Sequence, residues 1–167
     1  YKRQEWDLSR KKGGLTILPP YGSQEAVLYR GRLEALGNIY NYIRSSKAEI
    51  VVMTDCDNIT SIDYSDVLRY HKEKDADITV VYKHKPITDS IHRDVITISM
   101  DENKRVNGAF INPEQEEGNV LLNMTVISKR LLERIISEAS STNFYSFTRG
   151  VLQQGNQRLK IYGYAYD

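Results

Sequence analysis

Apolar positions along this chain fall into two patterns. Short unbroken runs mark strands covered on both faces: Ile50-Val51-Val52-Met53, Asp77-Ile78-Thr79-Val80-Val81-Tyr82 and the stretch 119–127. Apolar residues at helical spacing mark one-sided helices. Leu33, Leu36, Ile39, Tyr40 and Ile43 predict one such helix, closed by Ser45-Ser46-Lys47. Val67, Leu68 and His71 predict a short one with Asp63 or Ser65 as its cap, and Leu131, Leu132, Ile135 and Ile136 predict one capped by Ser128. A further helix spans about 145–153, and strands are expected at 15–18, stopped by Pro19-Pro20, and from 159 to 162. Residues 94–100 alternate, turn at 101–103 and resume at 105–111, which predicts an antiparallel hairpin leading into an acidic loop at 112–118. Helix, buried strand, helix is the grammar of an α/β domain. The expectation is a mostly parallel, Rossmann-like sheet flanked by helices, with one small antiparallel hairpin, in one domain over 1–167.

The candidate chemistry lies where the first buried run stops, in Thr54-Asp55-Cys56-Asp57. Ligands of open α/β sheets sit beyond the carboxyl ends of the strands. A carboxylate there can hold Mg²⁺, which takes few protein ligands and keeps the rest for water and phosphate. The same two carboxylates can equally cap the strand or the next helix. Gly31 falls at a helix start, where free N–H groups suit an anion.

Composition narrows the classes. The chain has 167 residues and a net charge of +1, so no strong field points to nucleic acid or to an anionic membrane. The Tyr162, Tyr164, Tyr166 series lacks the basic groove of a nucleic-acid stacking platform and reads as a half-buried strand. No apolar run approaches the roughly 20 residues of a membrane span. The single cysteine excludes an internal disulfide and suits a reducing compartment. Beside two acids, Cys56 is a poor nucleophile and is read as structural. His84 and His92 show no metal spacing and are read as surface residues, and the basic stretch 1–14 as a solvated linker. The sequence opens without Met and stops inside a strand-like run, which suggests a piece of a longer protein.

Order and spacing add a resemblance. Tyr29-Arg30-Gly31, then Val51-Val52-Met53 followed by Asp57 and Ile62-Asp63-Tyr64, then His71 and Ala76-Asp77-Ile78-Thr79 resemble the sugar-phosphate nucleotidyltransferases, and more narrowly glucose-1-phosphate adenylyltransferase. The resemblance implies a GT-A-like nucleotidyltransferase sheet in a cytoplasmic protein. It implies nucleotide contact at Tyr29 and Gly31, metal at Asp57 with Asp55 as second choice, and a sugar-phosphate region at Asn112, Asn123 and Ser146. It also implies Mg²⁺ wherever nucleotide binding is kept, with ATP, ADP-glucose and glucose 1-phosphate as ligands. Against the family's pattern, the N-terminal phosphate loop and the C-terminal β-helix are absent from 1–167, so this stretch by itself is expected to be inactive.

Substitutions go further. The family's Glu-Lys-Pro, whose Lys binds the sugar phosphate, falls on Ile111-Asn112-Pro113, and Asn112 brings no ammonium. The family's small-residue helix start reads Gly31-Arg32-Leu33-Glu34, and its acidic segment near the sugar reads Ser146-Phe147-Thr148-Arg149-Gly150. A kept frame with a thinned site resembles the regulatory, D-type subunit of some Gram-positive bacteria, whose partner is a catalytic homologous subunit. The alternatives are a working adenylyltransferase and an unrelated α/β binding domain.

Overall fold

The computed structural model describes Thr16, Leu18 and residues 29–56, 59–87, 95–142 and 144–166. Asp57, His92 and half of the expected strand at 15–18 lie outside those residues.

One strand organises the rest. β5, Glu117–Ser128, is twelve residues long and carries neighbours on both edges of a six-stranded sheet. Along one edge runs β2, Ile78–Pro86, antiparallel from Ile78↔Ile127 to Pro86↔Glu117. The other edge is shared by two strands. β1, Ile50–Met53, pairs antiparallel with the far half, Ile50↔Ser128 to Met53↔Thr125. β3, Ile96–Met100, meets the near half at Thr97↔Val120. β3 forms the expected hairpin with β4, Val106–Ile111. β6, Ile161–Ala165, closes the opposite side, parallel to β2.

The sheet is therefore mixed, not mostly parallel: among the described pairings only β2–β6 is parallel. An unbroken apolar run reports burial of both faces, and says nothing about the direction of the neighbouring strand.

Both faces are covered. Ile78, Val80 and Tyr82 of β2 join the larger core with α1 (Arg32–Asn38), α2 (Tyr40–Ser45) and α4 (Lys129–Thr142), through Leu33, Ile43, Leu132 and Ile136. Val81, on the opposite face, packs with Met124, Val126 and Val67 of α3 (Tyr64–Glu73). The period of two in β2 is real but masked, because each face finds an apolar layer. The helix expected from Leu33 to Ile43 is broken at Ile39, where φ is −106° and ψ 15°. Gly37 and Asn38, both poor helix formers, precede the break. The helix expected at 145–153 is a π-helical turn, Thr148–Gln153. The caps follow the sequence: Asp63 accepts from the Ser65 N–H at 2.8 Å, and the Leu131 N–H donates to Ser128 at 3.3 Å.

His71 is buried on α3 with Nδ1 2.8 Å from Thr79 Oγ1. Burial lowers its pKa below the usual 6.5, and Asp77 offsets this in part. Below 6.5 the unfolded chain then takes up a proton that the folded one refuses, so stability is full above that value and falls as pH drops toward the folded pKa. Urea midpoints between pH 7.5 and 5 should show this slope, and His71→Asn should flatten it.

Candidate functional site

The register leaves a gap in the sheet. On one edge of β5 the pairing with β1 ends at Thr125, and the next partner is β3 at Val120. Between them β5 bulges: Val81 pairs with Met124 and Tyr82 with Leu121, so Leu122 and Asn123 are extra. Asn123 has φ 55°, a left-handed conformation that Asn tolerates better than most residues. β1 and β3 run in the same direction here, so the carboxyl end of β1 points across the gap at the start of β3. Asp55 leaves β1 on one side, and Val95, held by Asn112, enters β3 on the other. The gap lies at the carboxyl end of β1, the kind of place where ligands of open α/β sheets sit.

On the β1 side, Asp55 is half-buried and ion-paired to Arg32, the first residue of α1. Arg32 is placed by the turn before it. Gly31 is extended there, and a Cβ on it would lie 2.3 Å from the Tyr145 carbonyl oxygen. That oxygen accepts the Leu33 N–H at 3.0 Å. Arg30 stacks its guanidinium 3.6 Å from the centre of the Tyr145 ring and pairs with Glu34 at 2.8 Å. Hydrogen bonding to each other raises the Arg30 pKa and lowers that of Glu34. Glu34 also accepts the Arg30 N–H at 2.6 Å, tying the turn to the first turn of α1. One N–H of the α1 start is thus already used by protein. Tyr29 and Cys56 are exposed.

The described donors do not make a Mg²⁺ site. Asp55 has a guanidinium on its carboxylate, and no group of three or more His, Cys, Asp or Glu side chains gathers among the described residues. Mg²⁺ wants near-octahedral oxygens, and a neighbouring cation repels it.

On the β3 side, Asn112 has φ 50° and brackets Val95. Its N–H donates to the Val95 carbonyl at 2.7 Å, and its Oδ1 accepts the Val95 N–H at 2.8 Å. Asn112 also lines an open cleft of about 680 Å³ with Phe110, Glu114, Gln115, Arg149 and Gln153. Gln153 is spent on the Ala109 carbonyl at 2.8 Å. The Arg149 guanidinium makes no ion pair or hydrogen bond among the described residues. Ser146 lies just before the π-helical turn, accepting the Arg149 N–H on its hydroxyl and the Gly150 N–H on its carbonyl. The structure thus brings Asp55, Asn123 and Asn112 to one gap, and puts Ser146 one turn from the cleft. Sequence reasoning missed two cations, Arg32 at the gap and Arg149 in the cleft.

No family model matches the chain. Among curated proteins it is similar to glucose-1-phosphate adenylyltransferases. That of Fervidobacterium nodosum is 30% identical over 166 residues, covering 97% of this chain and 40% of the relative. That of Clostridium acetobutylicum is 27% identical over 169 residues, covering 97% of this chain and 43% of the relative. That of Thermotoga neapolitana is 28% identical over 167 residues, covering 97% and 39%. The chain thus has homologues among these enzymes along nearly its whole length, and spans about 40% of theirs. The crystal structure of HddC from Yersinia pseudotuberculosis shares the fold, with a TM-score of 0.61 and 15% identity over 83% of this chain and 54% of that one. No described helix is long and apolar enough to cross a membrane.

Proposed function

We propose that this chain is part of a cytoplasmic glucose-1-phosphate adenylyltransferase system, the step of glycogen synthesis that turns ATP and glucose 1-phosphate into ADP-glucose and pyrophosphate. Within it the protein acts as the regulatory-type subunit, weakly active or inactive, on a GT-A-like nucleotidyltransferase frame. The adenylyltransferase homologues support the system. Asn112 carries the narrower reading: the residue at the family's phosphate-binding Lys is uncharged, and its amide oxygen is engaged in holding Val95 at 2.8 Å. Phosphoryl transfer depends on positioning and charge neutralisation, so a missing cation weakens it directly. The subunit would act by assembly with a catalytic homologue, binding that partner's active conformation more tightly than its inactive one.

Arg149 favours a second reading, a working adenylyltransferase in which this guanidinium replaces the lost ammonium, because it lines the same cleft as Asn112 and has no described partner. Pyrophosphate release by the full-length protein separates the two. Under the regulatory reading the protein alone gives little turnover, and mixing raises its catalytic homologue's rate several-fold. Under the second the protein alone turns over, and Arg149→Gln lowers its kcat/KM by about 10²-fold or more, as loss of a charge-assisted contact does.

A further inference from the structure

A second cavity lies between α4 and the π-helical turn and uses none of the residues of the gap. It measures about 430 Å³, within the size range of small-molecule sites. Its floor is apolar, with Ile135, Phe144, Val151 and Leu159, and its rim is polar and charged, with Thr142, Gln154, Arg134, Glu138 and Arg158. Single π-helical turns recur at functional sites. This one shapes the cavity through Gly150, where a Cβ would come within 2.5 Å of the Phe144 ring. Any side chain there would push the ring off the wall.

The rim carries two guanidiniums against one carboxylate. Arg134 meets Glu138 at only 3.9 Å, with both side chains largely exposed, so the pair holds neither group firmly. The Arg158 guanidinium makes no ion pair or hydrogen bond among the described residues. A site that is apolar below and singly positive in excess above suits one kind of ligand. We infer that this cavity binds an organic monoanion with an apolar body, an aromatic or branched aliphatic carboxylate or sulfonate, with its acid group on Arg158 and Arg134. The inference does not depend on the adenylyltransferase reading.

Calorimetric titration of the full-length protein with 2-naphthoate, and with the uncharged 2-naphthylmethanol, tests it. The acid should bind saturably, one per chain, and about tenfold or more tighter than the alcohol, since hydrogen bonds between charged groups are the stronger ones. In the double variant Arg134→Gln/Arg158→Gln, which alters exposed side chains only, the preference should fall to within about twofold while the alcohol binds as before. Absence of binding, equal binding of both compounds, or a preference that survives the double substitution would overturn the inference.

Discussion

Replacing Gly31 with alanine should destabilise the protein by about 2–4 kcal/mol, while replacing Gly37 with alanine should leave stability unchanged or raise it slightly. The added methyl at position 31 would sit 2.3 Å from the Tyr145 carbonyl oxygen and 2.7 Å from its carbon, closer than carbon atoms approach. Neither side gives easily. The carbonyl is held by the Leu33 N–H at 3.0 Å, and the Tyr145 ring lies under the Arg30 guanidinium. Overpacking of this kind costs about 1–3 kcal/mol, and moving the carbonyl away forfeits a hydrogen bond worth about 1 kcal/mol more. Gly37 is the control. A Cβ there meets nothing nearer than 3.9 Å, and alanine is the better helix former by about 1 kcal/mol. Urea unfolding reads both. Equal midpoints for Gly31→Ala and the parent would sink the argument. The consequence reaches the site: relieving the clash lifts the start of α1 away from residue 145 and takes Arg32 with it. Gly31 thus has a packing reason for being glycine whether or not a nucleotide binds there.

What the sequence made legible follows from the range of each interaction. The elements were readable because their signals are local: the apolar faces of α3 and α4, the caps at Asp63 and Ser128, the turn between β3 and β4. The direction of β5 was not. Its run from Val120 to Ile127 is buried on both faces, and such a run looks the same beside parallel and antiparallel neighbours. The bulge left one trace, Asn123 inside the mostly apolar run from Val120 to Ile127, a residue type that enters the left-handed region more easily than its neighbours do. The cations at the site left none. Arg32 and Asp55 are 23 positions apart, and the turn that places Arg32 is held by Tyr145, from a third segment. Asn112 was legible as a departure from a family pattern. Its grip on Val95 was not, because that bond exists only once β3 and β4 are paired.

That grip makes position 112 the place where structure and catalysis can be separated. Asn112→Gly keeps a backbone free to hold φ 50° but removes the acceptor for the Val95 N–H, and should cost about 1 kcal/mol. Asn112→Ala removes the acceptor and also strains the backbone, since most side chains resist the left-handed region by about 1–2 kcal/mol, so about 2–3 kcal/mol should be lost. The difference between the two variants reads the left-handed strain less the smaller entropy that alanine loses on folding, and an alanine variant clearly more stable than the glycine one would mean that residue 112 does not hold this conformation. Asn112→Lys should be about as unstable as the alanine variant, yet it places an ammonium at the cleft where Arg149 already stands. If the missing cation is what silences the protein, Asn112→Lys should raise pyrophosphate release from ATP and glucose 1-phosphate by about tenfold or more, despite its lower stability. If Arg149 already neutralises the phosphate, the second cation adds only like-charge repulsion and turnover should stay level or fall. A less stable but more active variant would show that the uncharged side chain at position 112 limits turnover, because a purely structural role for Asn112 predicts that every substitution lowers both quantities together.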